Sequence, residues 1–208
     1  MFAIRANYCF KMFRHFQYQK RNIMASKNPV LYGDEASPPV RFVMMTASCL
    51  NIDIDFHRVD LFKSEHKTDF YTKINPLQKV PALFDGSFIC DSHAIALHLC
   101  RKCKDNELYP QDLTLRTRID EMLYFNCSTL FPIDSLIFSQ YFTGKWPANV
   151  IQLENWYSAL DYLEDRLNRY KWLSDDKMRL CDLCCVTTIS SLSLLVPTLD
   201  RHIKVKEW

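Results

Sequence analysis

Glycine is scarce, with three residues in 208, at positions 33, 86 and 144. That scarcity disfavours a Gly-rich, turn-dominated architecture and favours long helices. No stretch approaches the roughly 20 consecutive apolar residues of a membrane-spanning helix. No secretory hydrophobic segment precedes the nine cysteines. Their odd number and scatter read as reduced, buried thiols of a cytoplasmic protein rather than a disulfide framework. Acid is missing from the start of the chain. No Asp or Glu comes before Asp34, whereas Arg5, Lys11, Arg14, Lys20, Arg21 and Lys27 crowd that stretch. The formal charge of +2 hides this asymmetry: without those six, 20 basic residues face 24 acidic ones, a body charge of −4. A mildly acidic body argues against a nucleic-acid partner.

What is present suits a globular chain, with 48% apolar, 24% charged and 13% aromatic residues. The length fits one large domain or two small ones. Residues 1–28 stand apart as a basic, aromatic, acid-free leader. One reading is a mitochondrial presequence, and the other is translation from Met24, giving MASKNPVLYG. Either way the leader is set aside from the fold. Two CxxC spacings occur, Cys100 with Cys103 and Cys181 with Cys184. A redox CxxC belongs at a helix N-terminus, where the dipole lowers the thiol pKa. Cys100 and Cys103 instead fall at the end of the pattern AIALHLCRKC. A zinc site would need both distant pairs to meet. Core packing is the plainer reading, and no metal is expected.

From Pro29 onward the pattern sharpens. VLYG reads as a short buried strand. Ser37-Pro38-Pro39 opens a helical run, VRFVMMTASCL, with Ser as N-cap and Pro in the first turn. Ile52, Ile54, Phe56 and Val59 suggest a second strand, and a polar helical stretch follows through Tyr71. After Val80-Pro81, ALF and FIC form a hairpin about Asp85-Gly86. Asp91-Ser92 then caps the helix HAIALHLCRK. The order βαβ, then ββ, then α is thioredoxin-like: a mixed sheet with helices on both faces. Residues 29–103 form this domain and 104–111 a linker. Residues 112–208 are all helical, with long helices at 112–142, 148–170 and 180–195. Chain ending at VKEW, which opens like a further helix, reads as a truncated product. The fold class is therefore an α/β N-terminal domain followed by an all-α domain.

Three motifs in order, LYGDEASPPVR, NPLQKVPAL and DSHAI, resemble the signatures of insect delta- and epsilon-class glutathione transferases. DSHAI together with FNCSTLFPIDS is most similar to the epsilon-class subgroup called Noppera-bo. The resemblance implies a dimer that binds glutathione and an apolar partner. For that subgroup it implies a steroid ligand and a part in ecdysteroid production.

Glutathione is a weak nucleophile because its thiol, with a pKa near 8.5, is mostly protonated at neutral pH. A hydrogen-bond donor and a positive helix end would stabilise the thiolate. Ser37 matches the serine with this role in the family; read alone, it is an ordinary N-cap. By resemblance, Val80, ahead of a cis Pro81, pairs its backbone with the cysteinyl residue. Asp91 suits the γ-glutamyl ammonium and Ser92, at a helix N-terminus, the γ-glutamyl carboxylate. His93 is an auxiliary binder or a solvated helix residue. The family often has NPQHTVP, whose His holds the glycyl carboxylate; here Gln78 and Lys79 stand in that region. Leu123, Cys127, Leu130, Asp134 and Phe138 share one helical face at four- and three-residue spacings. They are expected to wall the apolar site, with Asp134 pairing a ligand hydroxyl. Alternatively, Pro132 bends the helix and turns Asp134 to solvent. Finally, Arg179 stands where a Ser or Thr is expected to cap the last long helix, so Arg179→Thr is expected to raise the melting temperature.

Overall fold

The computed structural model describes residues 27–208. The leader up to Ser26, with its presequence and Met24-start readings, lies outside the described residues. A four-stranded sheet, ordered β2-β1-β3-β4, forms the first layer. Strand β1, Val30–Gly33, runs parallel to β2, Asp55–Arg58, and antiparallel to β3, Ala82–Phe84. β3 turns through Asp85-Gly86 into β4, Phe88–Ile89, with Leu83 opposite Ile89. Gly86 has φ +78°, a left-handed conformation open to Gly without a Cβ penalty.

Helix α1, Pro38–Cys49, and α3, Ser92–Lys102, cover one face of the sheet. Leu31, Val40, Val43, Leu83, Ile95 and Leu99 pack between them. Val30, Tyr32, Tyr71, Ile74 and Ala82 form a separate cluster, which includes Tyr71 of α2, Asp69–Thr72. Between β2 and α2 lies only a 3-10 turn, Glu65–Lys67, where the sequence suggested a longer helix. Gly33 explains how closely β1 meets α1: a Cβ there would come within 2.7 Å of both Val40 methyls.

The second layer is helical: α4, Leu113–Phe125; α5, Phe131–Phe142; α6, Val150–Arg169; α7, Leu180–Leu192; and α8, Ile203–Glu207. The expected long helix over 112–142 is one rod interrupted by a π-turn, Asn126–Leu130. Pro132 has no N–H to offer the carbonyl four residues back, and Phe131 N–H instead reaches Asn126 O across the wider π-turn. Helix α7 is apolar on nearly every side and runs through the core. Phe42 of α1 and Ala96 and Cys100 of α3 join that same cluster, so the two layers share a packed seam. Cys100, Cys181, Cys184 and Cys185 are buried free thiols, as core packing requires. Among the described residues no helix is long and apolar enough to cross a membrane.

The start of α7 corrects one expectation. Asp182 accepts the Arg179 N–H at 2.7 Å and the Leu173 N–H at 2.9 Å, so half of the capping box is present. Arg179 is not a failed cap. It is 5% exposed, and its guanidinium chelates Asp175 at 2.6–3.2 Å and reaches both the carboxylate and the carbonyl of Glu107. It ties the segment before α7 to the interdomain linker, a role that threonine is too short to fill.

Candidate functional site

The turn from β1 into α1 builds the first wall of a cleft. Ser37 is the N-cap of α1, with extended backbone. Pro38 and Pro39 fill the first two helical positions and carry no N–H. The Ser37 carbonyl accepts the Val40 and Arg41 amides, and the hydroxyl makes no capping bond. The ordinary duty of an N-cap side chain is therefore not performed, and Ser37 lines the cleft.

Two residues with no role expected from sequence hold this turn. Asp34, 3% exposed, accepts the Ala36 amide at 3.1 Å and the Leu61 amide at 3.0 Å. It joins the Ser37 turn to the loop after β2. Arg41 donates to the Glu35 and Ala36 carbonyls at 2.9 and 3.0 Å, and across the domain seam to Thr187 O at 3.1 Å and to Ser191 Oγ. Both fall within the motif LYGDEASPPVR, but nothing in it announces their partners, which folding brings near.

The second wall is the loop into β3. The Val80-Pro81 bond is cis. Upstream, the Lys79 carbonyl accepts the Tyr71 hydroxyl at 2.8 Å and Asn75 Nδ2 at 2.7 Å. Gln78 has φ +55° and donates to Thr72 Oγ1 at 3.0 Å. The third wall is the junction of β4 with α3. Asp91 caps α3, accepting the Ala94 amide at 2.9 Å, and Ser92 is buried beside it. His93 is not a solvated helix residue. It meets the Phe42 ring edge-on at 5.8 Å, and its Nε2 lies 3.3 Å from Cys184 Sγ in α7. Burial lowers its pKa, with the nearby Asp91 charge opposing.

Together these walls enclose a cleft of about 460 Å³ between the two layers. Ser37, Gln78, Lys79, Val80, Pro81, Asp91, Ser92 and His93 all line it. Three separate chain segments therefore converge on one cleft. One further residue was missed. His66, from the 3-10 turn, lines the cleft, and its buried Nδ1 makes no hydrogen bond. Burial and the Lys67 charge lower its pKa. The signal was faint: a lone His in a polar stretch of no clear period.

The helical wall differs from the expected stripe. Of its five residues Cys127, exposed on the π-turn, lines the cleft, joined by Asn126, Phe131, Ser135, Thr187 and Thr188. Leu123 and Leu130 are buried in the helical core, and Phe138 packs against that core and stacks on Phe142. From Asn126 onward the physical reason is the π-turn, whose extra residue rotates successive side chains away from the 3.6-residue register. Asp134 is not turned to solvent by Pro132. It is 2% exposed, and its Oδ1 has no hydrogen-bond partner. Burial raises its pKa to about 7, and the charge of Arg41 opposes that rise.

Comparison with known proteins agrees with this geometry. Residues 31–107 match the family model described as glutathione S-transferase, N-terminal domain. Glutathione S-transferase 1 of Manduca sexta is 34% identical over 184 residues, covering 86% of this chain and 84% of that protein. An epsilon-class glutathione S-transferase from the housefly, Musca domestica, superposes with a TM-score of 0.82 at 33% identity, covering 87% of this chain and 85% of that one. A glutathione transferase homologue from Drosophila mojavensis, solved with bound glutathione, matches at the same TM-score, identity and coverage. On sequence, fold and convergence of the cleft residues, the chain belongs to the glutathione S-transferase family.

Proposed function

We propose that this chain binds glutathione in the interdomain cleft, ionises its thiol with the Ser37 hydroxyl, and directs the sulfur at an apolar electrophile. The observation that carries this reading is Ser37, a residue of the cleft lining whose hydroxyl is uncommitted to its own helix. A donor fixed beside a developing thiolate, at the positive end of α1, stabilises charge without reorganising during the reaction. Val80 pairs its backbone with the cysteinyl residue. Asp91 and Ser92 take the γ-glutamyl ammonium and carboxylate, with His93 behind them. The glycyl carboxylate falls to His66, Lys79 and Gln78, which together make good the missing family His. The enzyme works as a cytoplasmic dimer.

A thiolate titration tests this. The absorbance of bound glutathione is followed against pH for the wild type and for Ser37→Ala. The wild type lowers the thiol pKa toward neutrality, and the mutant's thiolate fraction at pH 7 falls about tenfold. An unshifted pKa in the wild type would instead indicate a non-catalytic carrier of this fold.

One observation favours a narrower reading, a Noppera-bo-like steroid transferase in ecdysteroid production over a general detoxifying enzyme. Asp134 is a buried carboxylate with an unpartnered oxygen on the helix that follows the cleft-lining π-turn. An apolar ligand with a terminal hydroxyl would satisfy it. Asp134→Ala is expected to weaken binding of a hydroxysteroid about tenfold, and binding of its hydroxyl-free analogue much less. Equal losses for both ligands would leave the general detoxifying enzyme.

A further inference from the structure

The cleft that recognises a thiol tripeptide is also lined by three of the chain's own thiols, Cys90, Cys127 and Cys184. They are not equivalent. Cys90 donates to Ile74 O at 3.4 Å, and burial raises its pKa. Cys184 lies against His93 Nε2 at 3.3 Å, is 2% exposed, and is raised well above the ordinary thiol range by burial. Cys184 is buried, and the half-buried Cys90 has its S–H committed to a carbonyl, so neither offers a free thiol to the cleft. Cys127 is different. It is exposed, it sits on the π-turn, and it lines the cleft. The same π-turn that removes Leu130 from the cleft brings Cys127 to it.

We infer that glutathione disulfide is a second ligand of this cleft and that Cys127 exchanges with it, becoming a reversibly glutathionylated residue. The inference rests on the glutathione reading above, since the disulfide docks by one of its two tripeptides. Held at the Val80, Asp91 and Ser92 subsites, that tripeptide brings its disulfide between Ser37 and the helical wall. The Cys127 thiol loses its proton to water, and its sulfur attacks the sulfur of the other, undocked half. The S–S bond of glutathione disulfide breaks and the Cys127–sulfur bond forms. The docked half leaves as thiolate, stabilised by the Ser37 hydroxyl, and takes up a proton. One thiol and one disulfide thus give one mixed disulfide and one glutathione, with no other oxidant. A leaving thiolate with a lowered pKa departs faster, so the group that activates glutathione for transfer also promotes this exchange. The attached glutathionyl then fills the apolar half of the cleft and blocks transfer until glutathione reverses it. Activity therefore follows the ratio of disulfide to thiol in the surroundings.

The experiment uses the whole chain, reduced and then treated with glutathione disulfide. Peptide masses are read without reduction over a time course. The expected result is modification of Cys127 about tenfold or more ahead of the exposed Cys49, because docking holds the disulfide beside one thiol alone. The rate saturates with glutathione disulfide, and an S-alkyl glutathione competes. Hydroxyethyl disulfide, which has no tripeptide to dock, shows neither preference nor saturation. Cys127→Ser removes the saturable phase and Cys49→Ser leaves it. Equal, non-saturating labelling of Cys49 and Cys127 overturns the proposal. Calorimetry with reduced glutathione separates the two failures. Binding without Cys127 preference sinks the exchange alone, and absence of binding sinks the cleft reading with it.

Discussion

Ser37 illustrates how one side chain changes role with its neighbours. A serine before a helix is ordinarily a cap, and the sequence offers no reason to think otherwise until two prolines remove the amides of the first helical turn. His66 is the converse case. Its sequence context is a polar stretch, and its standing comes from a 3-10 turn that places it in the cleft lining with Nδ1 buried and unpartnered. Because burial and Lys67 depress its pKa, it meets a ligand as a neutral imidazole whose N–H can donate to a carboxylate. His66→Ala is expected to raise KM for glutathione about tenfold while kcat changes little, since a carboxylate contact remote from sulfur is made equally in the ground and transition states. Steady-state kinetics with varied glutathione check this. A fall in kcat at unchanged KM would assign His66 to the chemistry instead.

At the scale of elements, the helical register carries the lesson. The run from 112 to 142 is legible as helix because its apolar period is strong. The face it offers the cleft is not, because one π-turn displaces the register downstream of Asn126 and no local rule announces it. The segment before α7 shows the same limit. The Asp182 half of a capping box is visible in sequence, whereas the bond network of Arg179 reaches Glu107, 72 residues away. Arg179→Thr is accordingly expected to lower stability by about 2 to 4 kcal/mol, since it strands Asp175 and empties a buried site. Thermal melts of the two proteins decide the point, and an unchanged or higher midpoint would restore the cap reading.

For the molecule as a whole, the two domains are joined through charge as well as through the apolar seam. Arg41 of the first domain bonds to α7 of the second, and its field acts on the buried Asp134. The pKa of Asp134 is raised to about 7 by burial, against about 3.9 in an unfolded chain. Between about pH 4 and 7 the native state therefore holds a proton that the unfolded state has released. That contribution to stability declines as pH rises through this window, and the full cost is present above pH 7. Asp134→Asn removes the proton exchange. Melting curves from pH 4 to 8 are expected to show the variant losing less stability with rising pH, by several degrees above pH 7. Parallel curves would mean that Arg41 keeps the carboxylate ionised throughout.

The order of strands and helices, the three motif segments and the cleft residues Ser37, Val80, Asp91 and Ser92 were legible in the sequence. Period, turn chemistry and N-cap composition are local, and local preference decides which elements form. The tertiary structure alone decided which side chains meet: Asp34 with the Leu61 amide, Arg41 with α7, His66 with the cleft, Cys184 with His93. Each of these joins groups far apart in the chain, through main-chain atoms or through side chains with no shared motif, so no local pattern encodes it. Whether a side chain is buried, partnered or free follows from packing, and it is this that set the pKa of Asp134, the exposure of Cys127 and the free hydroxyl of Ser37.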